Sequence, residues 1–279
     1  MIIMDFNGIA VGSIFANGKL EEGMVRHMVF NTIRMYKTKF EKEYGETVIA
    51  CDGANNWRRS WFPQYKANRR KSREKSDFDW DRAYEILNDL RTDIRENFPY
   101  KLVHIEGCEA DDVIATLVEQ TQEFGKNEEV MIISADKDFV QLQTYGNVRQ
   151  FSPLTKKFVA EQNPNLFRQT HIFKGDTSDG VPNVLSGDNV FVEGLRQTPL
   201  SKKKIEALIA DPKSLGEEVY RNIKRNEKLI DLRNTPSDLK ESIINSFENQ
   251  DPWKNKGKVF PYMVGKQMNM LLESVEEFL

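Results

Sequence analysis

The side chains in this sequence that are best suited to chemistry are carboxylates, which recur in five short groups. All-oxygen ligand sets of this kind suit Mg²⁺ or Mn²⁺. Two such ions about 4 Å apart stabilise both the attacking and the leaving oxygens when a phosphodiester is hydrolysed. The pattern therefore predicts metal-dependent cleavage of a phosphodiester backbone. The nine carboxylates are Asp5; Asp52; Glu109, Asp111 and Asp112; Asp136 and Asp138; and Asp176 and Asp179.

Each group taken alone has a simpler structural explanation. Aspartate is common in turns and helix caps, and acids in the first turn of a helix complement the helix dipole. Asp136 could cap a helix, and residues 175–180 alone are better explained as a polar loop between domains. Several like charges along one edge of a sheet, however, are costly unless a cation neutralises them. The combination of groups, together with the absence of a Cys/His spacing typical of zinc sites, favours a magnesium-type site.

Strands and helices alternate along the first part of the chain and would bring these acids together. Apolar runs that end at or just before an aspartate predict buried strands, because period-free apolar runs are typical of parallel sheets. The alternation predicts an α/β fold with a mostly parallel central sheet flanked by helices, and the carboxyl ends of parallel strands share one edge. The predicted strands are 2–5, 47–52, 100–105 and 130–134, and the predicted helices are about 21–43, 81–97 and 109–124.

After about residue 175 the strand signals fade, and short helices are predicted at 201–210, 214–231 and 236–248. We therefore expect two domains: an α/β domain over residues 1–178 and a smaller all-helical C-terminal domain over residues 179–279. A chain of 279 residues is long for one compact domain.

A basic and aromatic segment follows Asp52. Residues 57–75 contain eight Lys or Arg residues and one acid, although the formal net charge of the chain is −3. Aromatic rings can stack on bases and cations can hold phosphates, but a solvated helix with one packed aromatic face is an equally good explanation. Lys66 and Arg69 are spaced to lie together and clamp a phosphate. The candidate nucleic-acid-binding residues are Arg58, Arg59, Tyr65, Lys66, Arg69, Arg70, Lys71 and Arg73, with a smaller patch at Lys202, Lys203 and Lys204.

Composition excludes several other classes of protein. No apolar stretch is long enough to span a membrane, the first residues do not resemble a signal peptide, and Cys51 and Cys108 suggest no disulfide framework. We expect a cytoplasmic protein. The absence of an obvious oligomerisation stripe makes a monomer the expected state.

The order of the motifs resembles the 5′ nuclease (flap endonuclease) superfamily, whose core is PIN-like. The resemblance extends over nearly the whole chain and is closest to phage members. It rests on five weak motifs in the right order. These are strand-Asp5, strand-Asp52 followed by Tyr65-Lys66-Ala67-Asn68-Arg69, Glu109-Ala110-Asp111-Asp112, Ser134-Ala135-Asp136-Lys137-Asp138-Phe139, and Gly175-Asp176-Thr177-Ser178-Asp179.

The resemblance implies a 5′→3′ exonuclease and flap endonuclease that acts on RNA–DNA hybrids and on 5′-flap or forked duplex DNA, in the host cytoplasm if the source is a phage. It implies a helical arch at about 57–98 and two Mg²⁺ ions, for which Mn²⁺ substitutes. A single-strand-binding protein and a sliding clamp are further candidate partners. By resemblance, Lys66, Arg69, Asp111 and Asp136 are catalytic, and Tyr65 stacks on the base at the cut. The first ion would be held by Asp5, Asp52, Glu109, Asp111 and Asp112, and the second by Asp136, Asp138, Asp176 and Asp179.

Three rival interpretations remain at this point. A toxin-type PIN ribonuclease is disfavoured because residues 57–98 and 180–279 are additional to such a domain. An aspartate-nucleophile phosphatase is disfavoured because Asn7 stands where a second aspartate is usual. An inert module that binds DNA junctions would be expected to have lost carboxylates. One departure from the superfamily is the segment from Ser186 to Pro199, which lacks the usual glycine spacing of a duplex-binding hairpin.

Overall fold

The computed structural model describes residues 1–17, 20–74 and 76–279. Its central element is a six-stranded sheet with the strand order β3-β2-β1-β4-β5-β6. The first five strands in that order are parallel, and only the short strand β6 pairs antiparallel with β5. The prediction of a mostly parallel sheet is therefore confirmed. The strands are β1 Ile2–Asp5, β2 Thr47–Cys51, β3 Lys101–His104, β4 Val130–Ile133, β5 Val148–Ser152 and β6 Lys157–Val159.

Helices cover the sheet, and their apolar faces explain why the central strands are apolar up to their carboxyl ends. The side chains of Ile2, Ile3 and Met4 in β1 and all four residues of β4 are buried. Strands that are covered on both faces need apolar residues at every position rather than at alternate ones. The helices are α1 Phe6–Asn17, α2 Glu22–Tyr44, α3 Trp57–Trp61, α4 Ala67–Glu74, α5 Trp80–Asn97, α6 Ala110–Gln122, α7 Pro164–Lys174, α8 Lys202–Ala210, α9 Glu217–Ile230, α10 Ser237–Glu248, α11 Val259–Gly265 and α12 Asn269–Leu272.

Two compact units are interleaved along the chain. Unit 1 contains Met1–Ala54, Asp79–Ala160 and Ser237–Leu279, and includes the whole sheet. Unit 2 contains Asn55–Phe78 and Glu161–Pro236. Residues 179–279 are helical as predicted, and contain no strand, but their helices are divided between the two units. The continuous domains 1–178 and 179–279 stay a prediction.

Helix α5 lies within the range of the predicted arch, residues 57–98. Its residues Ala83, Ile86, Leu87, Leu90 and Ile94 are buried, at the three- and four-residue spacing of an amphipathic helix. This helix is therefore a packed element of unit 1. The arch over residues 57–98 stays a prediction.

Unit 2 has an apolar core of its own. Its members come from the loop around Tyr65, from α7, from the turn that follows α7, and from α8 and α9. None of the helices in the described part of the chain is long and apolar enough to cross a membrane.

Candidate active site

Three carboxylates lie at the same edge of the sheet in unit 1. Asp5 is the last residue of β1, Asp52 directly follows β2, and Asp136 follows β4 after two residues. The strands β2, β1 and β4 are neighbours and parallel, so their carboxyl ends lie side by side. The sheet order thus brings together acids that are up to 131 residues apart in the sequence.

The carboxylate of Asp5 is held from both sides. Its Oδ1 accepts a hydrogen bond from the backbone N–H of Gly8 at 2.9 Å, and its Oδ2 accepts one from Ser134 Oγ at 2.9 Å. A Cβ atom at Gly8 would lie 2.6 Å from Asp5 Oδ2, so only glycine allows this approach. Burial, together with the neighbouring charges of Asp52 and Asp136, raises the pKa of Asp5 to about 6, against the lowering effect of the two hydrogen bonds.

The carboxylate of Asp52 is oriented by two other elements. Asn7 Nδ2, in the first turn of α1, donates to Asp52 Oδ2 at 2.5 Å, and the backbone N–H of Ala110 donates to Oδ1 at 2.8 Å. Behind it, Arg91 Nη1 donates to the backbone carbonyl of Asp52 at 3.1 Å and lies 2.8 Å from His104 Nε2. Both carboxylate oxygens of Asp52 therefore have fixed directions.

The acidic turn at the start of α6 contains three carboxylates that differ in burial and in hydrogen bonding. Asp112 is fully buried, and its Oδ2 accepts a hydrogen bond from the backbone N–H of Glu109 at 2.9 Å, as in a capping box. Glu109 is also buried, whereas Asp111 is partly exposed. Glu109 and Asp112 thus form a reciprocal capping box, and the role of all three residues as metal ligands stays a prediction.

Asp136 lies at the start of a 3₁₀ helix, Lys137–Thr144, and caps it. Its Oδ1 accepts a hydrogen bond from the backbone N–H of Asp138 at 2.9 Å. Gln150 Nε2 holds the backbone that leads into this cap by donating to the carbonyls of Ser134 and Asp136 at 3.0 and 2.6 Å. Capping does not exclude a metal-binding role for Asp136, because its side chain is solvent-exposed.

In unit 2, Asp176 begins a closed loop that ends at Val181. Two backbone hydrogen bonds of 2.8 Å join these residues, and Gly180 has a φ of +71°. Asp176 is buried, and its Oδ1 accepts hydrogen bonds from Ser178 N, Ser178 Oγ and Asp179 N. His171 Nε2 lies 3.5 Å from its Oδ2.

Asp179, in the same loop, is surrounded by the predicted phosphate clamp. Tyr65 Oη donates to Asp179 Oδ2 at 2.9 Å, and Arg69 Nη2 donates to Oδ1 at 2.5 Å. Lys66 Nζ lies 3.5 Å from Oδ2, and the Lys66 backbone N–H donates to the Asp179 carbonyl at 2.7 Å. Arg69 Nε also donates to the carbonyl of Ser178 at 3.2 Å. The sequence pattern placed these cations next to each other but did not predict that they pair with Asp179.

Two of the predicted nucleic-acid-binding residues need correction. Arg58 is 1% exposed, and its Nε donates to the carbonyl of Leu229 at 2.9 Å, so its guanidinium is not available to a phosphate. Tyr65 is 3% exposed and packs in the core of unit 2, so its ring is not available to stack on a base. In this segment, Arg58 and Tyr65 therefore contribute to packing.

The other basic residues remain candidates for binding nucleic acid. Arg59, Arg69, Arg73, Lys202 and Lys203 are exposed, and Lys66 and Lys204 are partly exposed. The side chains of Arg70 and Lys71 lie outside the described part of the structure.

Several residues of the acidic edge had no role in the sequence-based prediction. Ser134, Gln150 and Arg91 act only through contacts with distant residues, so spacing gives no signal for them. Asn7 had a weak signal, because it stands two positions after Asp5, where its amide can reach a neighbouring strand end.

Comparison with known families identifies the class of protein. Residues 1–171 match the family of the 5′-3′ exonuclease N-terminal resolvase-like domain, and residues 163–278 match the family described as T4 RNase H, C terminal. The chain therefore belongs to the 5′-3′ exonuclease family, and the resemblance to 5′ nucleases is confirmed.

Among individual proteins, the chain is similar to the ribonuclease H of Enterobacteria phage T4. The two are 34% identical over an alignment that covers 99% of this chain and 95% of the phage T4 protein. The chain is also 28% identical to a 5′-3′ exonuclease of Buchnera aphidicola, over 61% of this chain and 59% of that protein.

Two solved structures share the fold. A structure of the T5 5′-exonuclease with bound zinc ions superposes with a TM-score of 0.64 at 18% identity, and covers 100% of this chain and 98% of its own. A T5 flap endonuclease in complex with DNA and metal ions gives a TM-score of 0.61 at 19% identity, with coverages of 99% and 98%. The α/β core with a helical C-terminal part is thus confirmed.

Proposed function

We propose that this protein is a 5′→3′ exonuclease and flap endonuclease that removes RNA primers and adjoining DNA from lagging-strand fragments. The observation that carries the proposal is the group of Asp5, Asp52 and Asp136 on neighbouring strand ends in a member of the 5′-3′ exonuclease family. The mutual repulsion of these charges, part of what raises the pKa of Asp5 to about 6, is what a bound cation would relieve.

The donors at this edge fit a hard divalent cation. They are carboxylate oxygens held by neutral donors such as Gly8 N, Ser134 Oγ and Asn7 Nδ2, and none of these donors neutralises the acids. Oxygen ligands suit Mg²⁺, and Mn²⁺ substitutes for it. We assign Asp5, Asp52, Glu109, Asp111 and Asp112 to a first ion, and Asp136, Asp138, Asp176 and Asp179 to a second. When bound, such ions supply a water of lowered pKa and charge stabilisation of the leaving oxygen.

The chain's own residues would hold and orient the strand. Arg69 and Lys66 exchange their contacts with Asp179 for oxygens of the scissile phosphate, where negative charge grows in the transition state. Arg59 and Arg73 on the exposed face of the same segment hold neighbouring phosphates. Hydrolysis would leave a 5′-phosphate and a 3′-hydroxyl.

The biological setting is proposed from the relatives. Similarity to a phage T4 ribonuclease H suggests activity on RNA–DNA hybrids and on 5′-flap or forked duplex DNA, in the cytoplasm of a bacterial host. We propose a monomeric enzyme, with a single-strand-binding protein and a sliding clamp as replication partners.

The test is cleavage of a 5′-labelled flap duplex and of an RNA-primed duplex, with Mg²⁺ and with EDTA. We expect short 5′-terminal products that form only with metal and that a hairpin at the 5′ end blocks. Asp136→Asn should abolish cleavage and leave DNA binding largely intact. Binding without cleavage in Mg²⁺ would instead support a junction-binding module, and an Asp136→Asn variant that cuts at the parental rate would refute the metal assignment.

A further inference from the structure

A short segment of unit 1 has a charge and a surface that the proposed active site does not use. Residues 252–266 contain Lys254, Lys256, Lys258 and Lys266 and no Asp or Glu, in a chain whose formal net charge is −3. They form a 3₁₀ helix, Pro252–Lys258, and helix α11. We refer to residues 252–266 as the C-terminal basic segment.

The segment is fixed to unit 1 by one face. Pro252, Asn255, Val259 and Met263 are buried. Asn255 Nδ2 donates to the carbonyls of Arg95 and Phe98 at 2.9 and 3.3 Å. The backbone of the segment is therefore held in place, so its other face is presented in a defined arrangement.

Outside its buried residues, the segment exposes large aromatic side chains. Trp253 is 60% exposed and Phe260 is 56% exposed, the two highest values for aromatic residues in the described part of the chain. Val264, one turn after Phe260, is 49% exposed. Lys256 Nζ lies 5.8 Å from the centre of the Trp253 ring. Exposed rings with cations beside them are the arrangement that binds single-stranded nucleic acid, because bases stack on the rings while phosphates contact the cations.

The lysines of this segment form no ion pair with a carboxylate of the described residues; they are Lys254, Lys256, Lys258 and Lys266. Lys258 Nζ instead donates to the backbone carbonyl of Glu96 at 3.1 Å. A polyanion would therefore find cations that are not already paired.

The position of the segment in unit 1 separates it from the acidic edge. Its anchors, Arg95 and Phe98, lie at the end of α5 and just before β3 begins. They mark the amino-terminal edge of the parallel sheet, whereas the carboxylates lie at the carboxyl-terminal edge. A four-residue strand spans about 10 Å or more between these edges, at about 3.3 Å per residue.

We infer that the C-terminal basic segment is a noncatalytic binding surface for single-stranded DNA. Duplex DNA fits less well, because its base faces are already stacked and cannot meet Trp253 and Phe260. An acidic peptide would satisfy the lysines but has no bases to cover the flat, exposed rings. Bound there, a strand is held away from the carboxylates, so the surface retains substrate without cutting it. The choice of nucleic acid as the ligand rests on the proposed function, but the binding itself does not require cleavage.

The first test is equilibrium binding of a fluorescein-labelled oligothymidine of about 20 nucleotides to the full chain in EDTA. We expect the double variant Trp253→Ala/Phe260→Ala to bind about 10-fold or more weakly, and Trp253→Phe to retain most of the affinity because a ring remains. Leu154→Ala/Met270→Ala is the matched control, since it removes two exposed apolar side chains, 82% and 80% exposed, outside the segment. Wild-type affinity in the aromatic double variant would overturn the inference.

The salt dependence of the same binding separates phosphate contacts from stacking. Lys254→Gln/Lys256→Gln should reduce the slope of log affinity against log salt by about 1.4, at about 0.7 for each phosphate contact to a single strand. Poly-glutamate and anionic lipid vesicles serve as competitors. If either binds as tightly as the oligothymidine and loses affinity in the same variants, the surface recognises another ligand and the inference is wrong.

Kinetics then distinguish this surface from the active site. For a substrate with a long single-stranded arm, the aromatic double variant should raise KM about 10-fold and leave kcat unchanged, while a substrate with a minimal arm should be cut normally. An equal loss on both substrates would overturn a tethering role. A chain that cuts neither substrate but binds oligothymidine through this segment would refute the proposed nuclease function and leave the binding surface standing.

Discussion

The acidic edge of unit 1 and the loop of unit 2 around Asp179 contain the same type of residue in opposite electrostatic states. At the edge, neutral donors orient the carboxylates of Asp5 and Asp52, and the charges of these two carboxylates repel each other. In the loop, Asp179 accepts hydrogen bonds from Tyr65 and Arg69, and Lys66 lies nearby. At the edge, the charges of Asp52 and Asp136 raise the pKa of Asp5, whereas Asp179 is paired with cations.

This difference indicates what each region needs from outside. Asp5, whose pKa is raised by burial and by the charges of Asp52 and Asp136, gains most when a metal ion binds, because the repulsion is then replaced by attraction. Asp179 is already paired with Arg69 and Lys66, so a metal ion that binds there relieves less repulsion. The four predictions that follow test the comparison, beginning with the largest effect.

Removing one charge from the edge should have the largest effect on catalysis. Asp52→Asn keeps the shape of the side chain but takes away a charged ligand. Metal ions supply several kcal/mol of transition-state stabilisation, so we expect cleavage in Mg²⁺ to fall by about 10³-fold or more. Asp89→Asn, which changes an exposed acid of α5, is the control and should cut normally. Cleavage of Asp52→Asn within 10-fold of wild type would mean that the edge does not hold the catalytic ion.

Removing a cation from the loop should have a smaller but still large effect. Arg69→Ala should reduce kcat by about 10²-fold, the typical loss of one donor to developing negative charge. Arg59→Ala removes an exposed cation of the same segment and should change kcat much less. Arg69→Lys decides between two roles, because it keeps a positive charge beside Asp179 and removes the guanidinium donors. If Arg69 only neutralises Asp179, Arg69→Lys should retain activity, and we expect that it does not.

The repulsion at the edge should appear as a pH-dependent cost to the stability of the metal-free protein. The pKa of Asp5 is about 6 in the folded chain, against an ordinary value of 3.8. The folded state therefore binds this proton more tightly than the unfolded state, so the free energy of unfolding falls as the pH rises from about 4 to 6. Asp5→Asn carries no charge and should be more stable than wild type at pH 8, by at most about 3 kcal/mol.

Urea unfolding in EDTA at pH 8 and pH 4 measures this effect. The advantage of Asp5→Asn should disappear at pH 4, where Asp5 is protonated in the folded state of the wild type. An advantage of equal size at both pH values would show that the effect comes from packing and not from charge.

The arrangement of the edge could be predicted from the sequence because local signals sufficed. Apolar runs that end in aspartate predict strands, and parallel pairing then forces Asp5 and Asp52 to the same edge. The support around them could not be predicted. Ser134 Oγ reaches Asp5 across 129 residues of sequence, and Arg91 reaches the carbonyl of Asp52 from another helix. Such contacts depend on packing angles that no local pattern records.

The segment after Asp52 shows the opposite failure, in which a local signal was overruled by packing. Arg58 resembles its neighbour Arg59 in sequence, yet it is buried, and its Nε donates to the carbonyl of Leu229, 171 residues away, while its guanidinium lies 4.5 Å from the centre of the Trp57 ring. The arch at about 57–98 was implied by the resemblance and stays a prediction, and the buried apolar face of α5 lies within that range. Composition alone cannot separate a charged helix that packs from one that does not.

The smallest predicted effect concerns the neutral donors that orient the edge. Asn7 Nδ2 holds Asp52 Oδ2, so Asn7→Ala leaves the charge of the edge unchanged and loosens only the direction of one ligand. Loss of such a supporting hydrogen bond typically weakens metal binding by about 10-fold. Calorimetric titration of Mn²⁺ into the protein without substrate measures it, and Asn249→Ala, an exposed amide on α10's carboxyl-terminal side, is the control. If Asn7→Ala binds Mn²⁺ as the wild type does, the repulsion between carboxylates alone sets the affinity, and neutral donors at the edge serve the fold and not the metal.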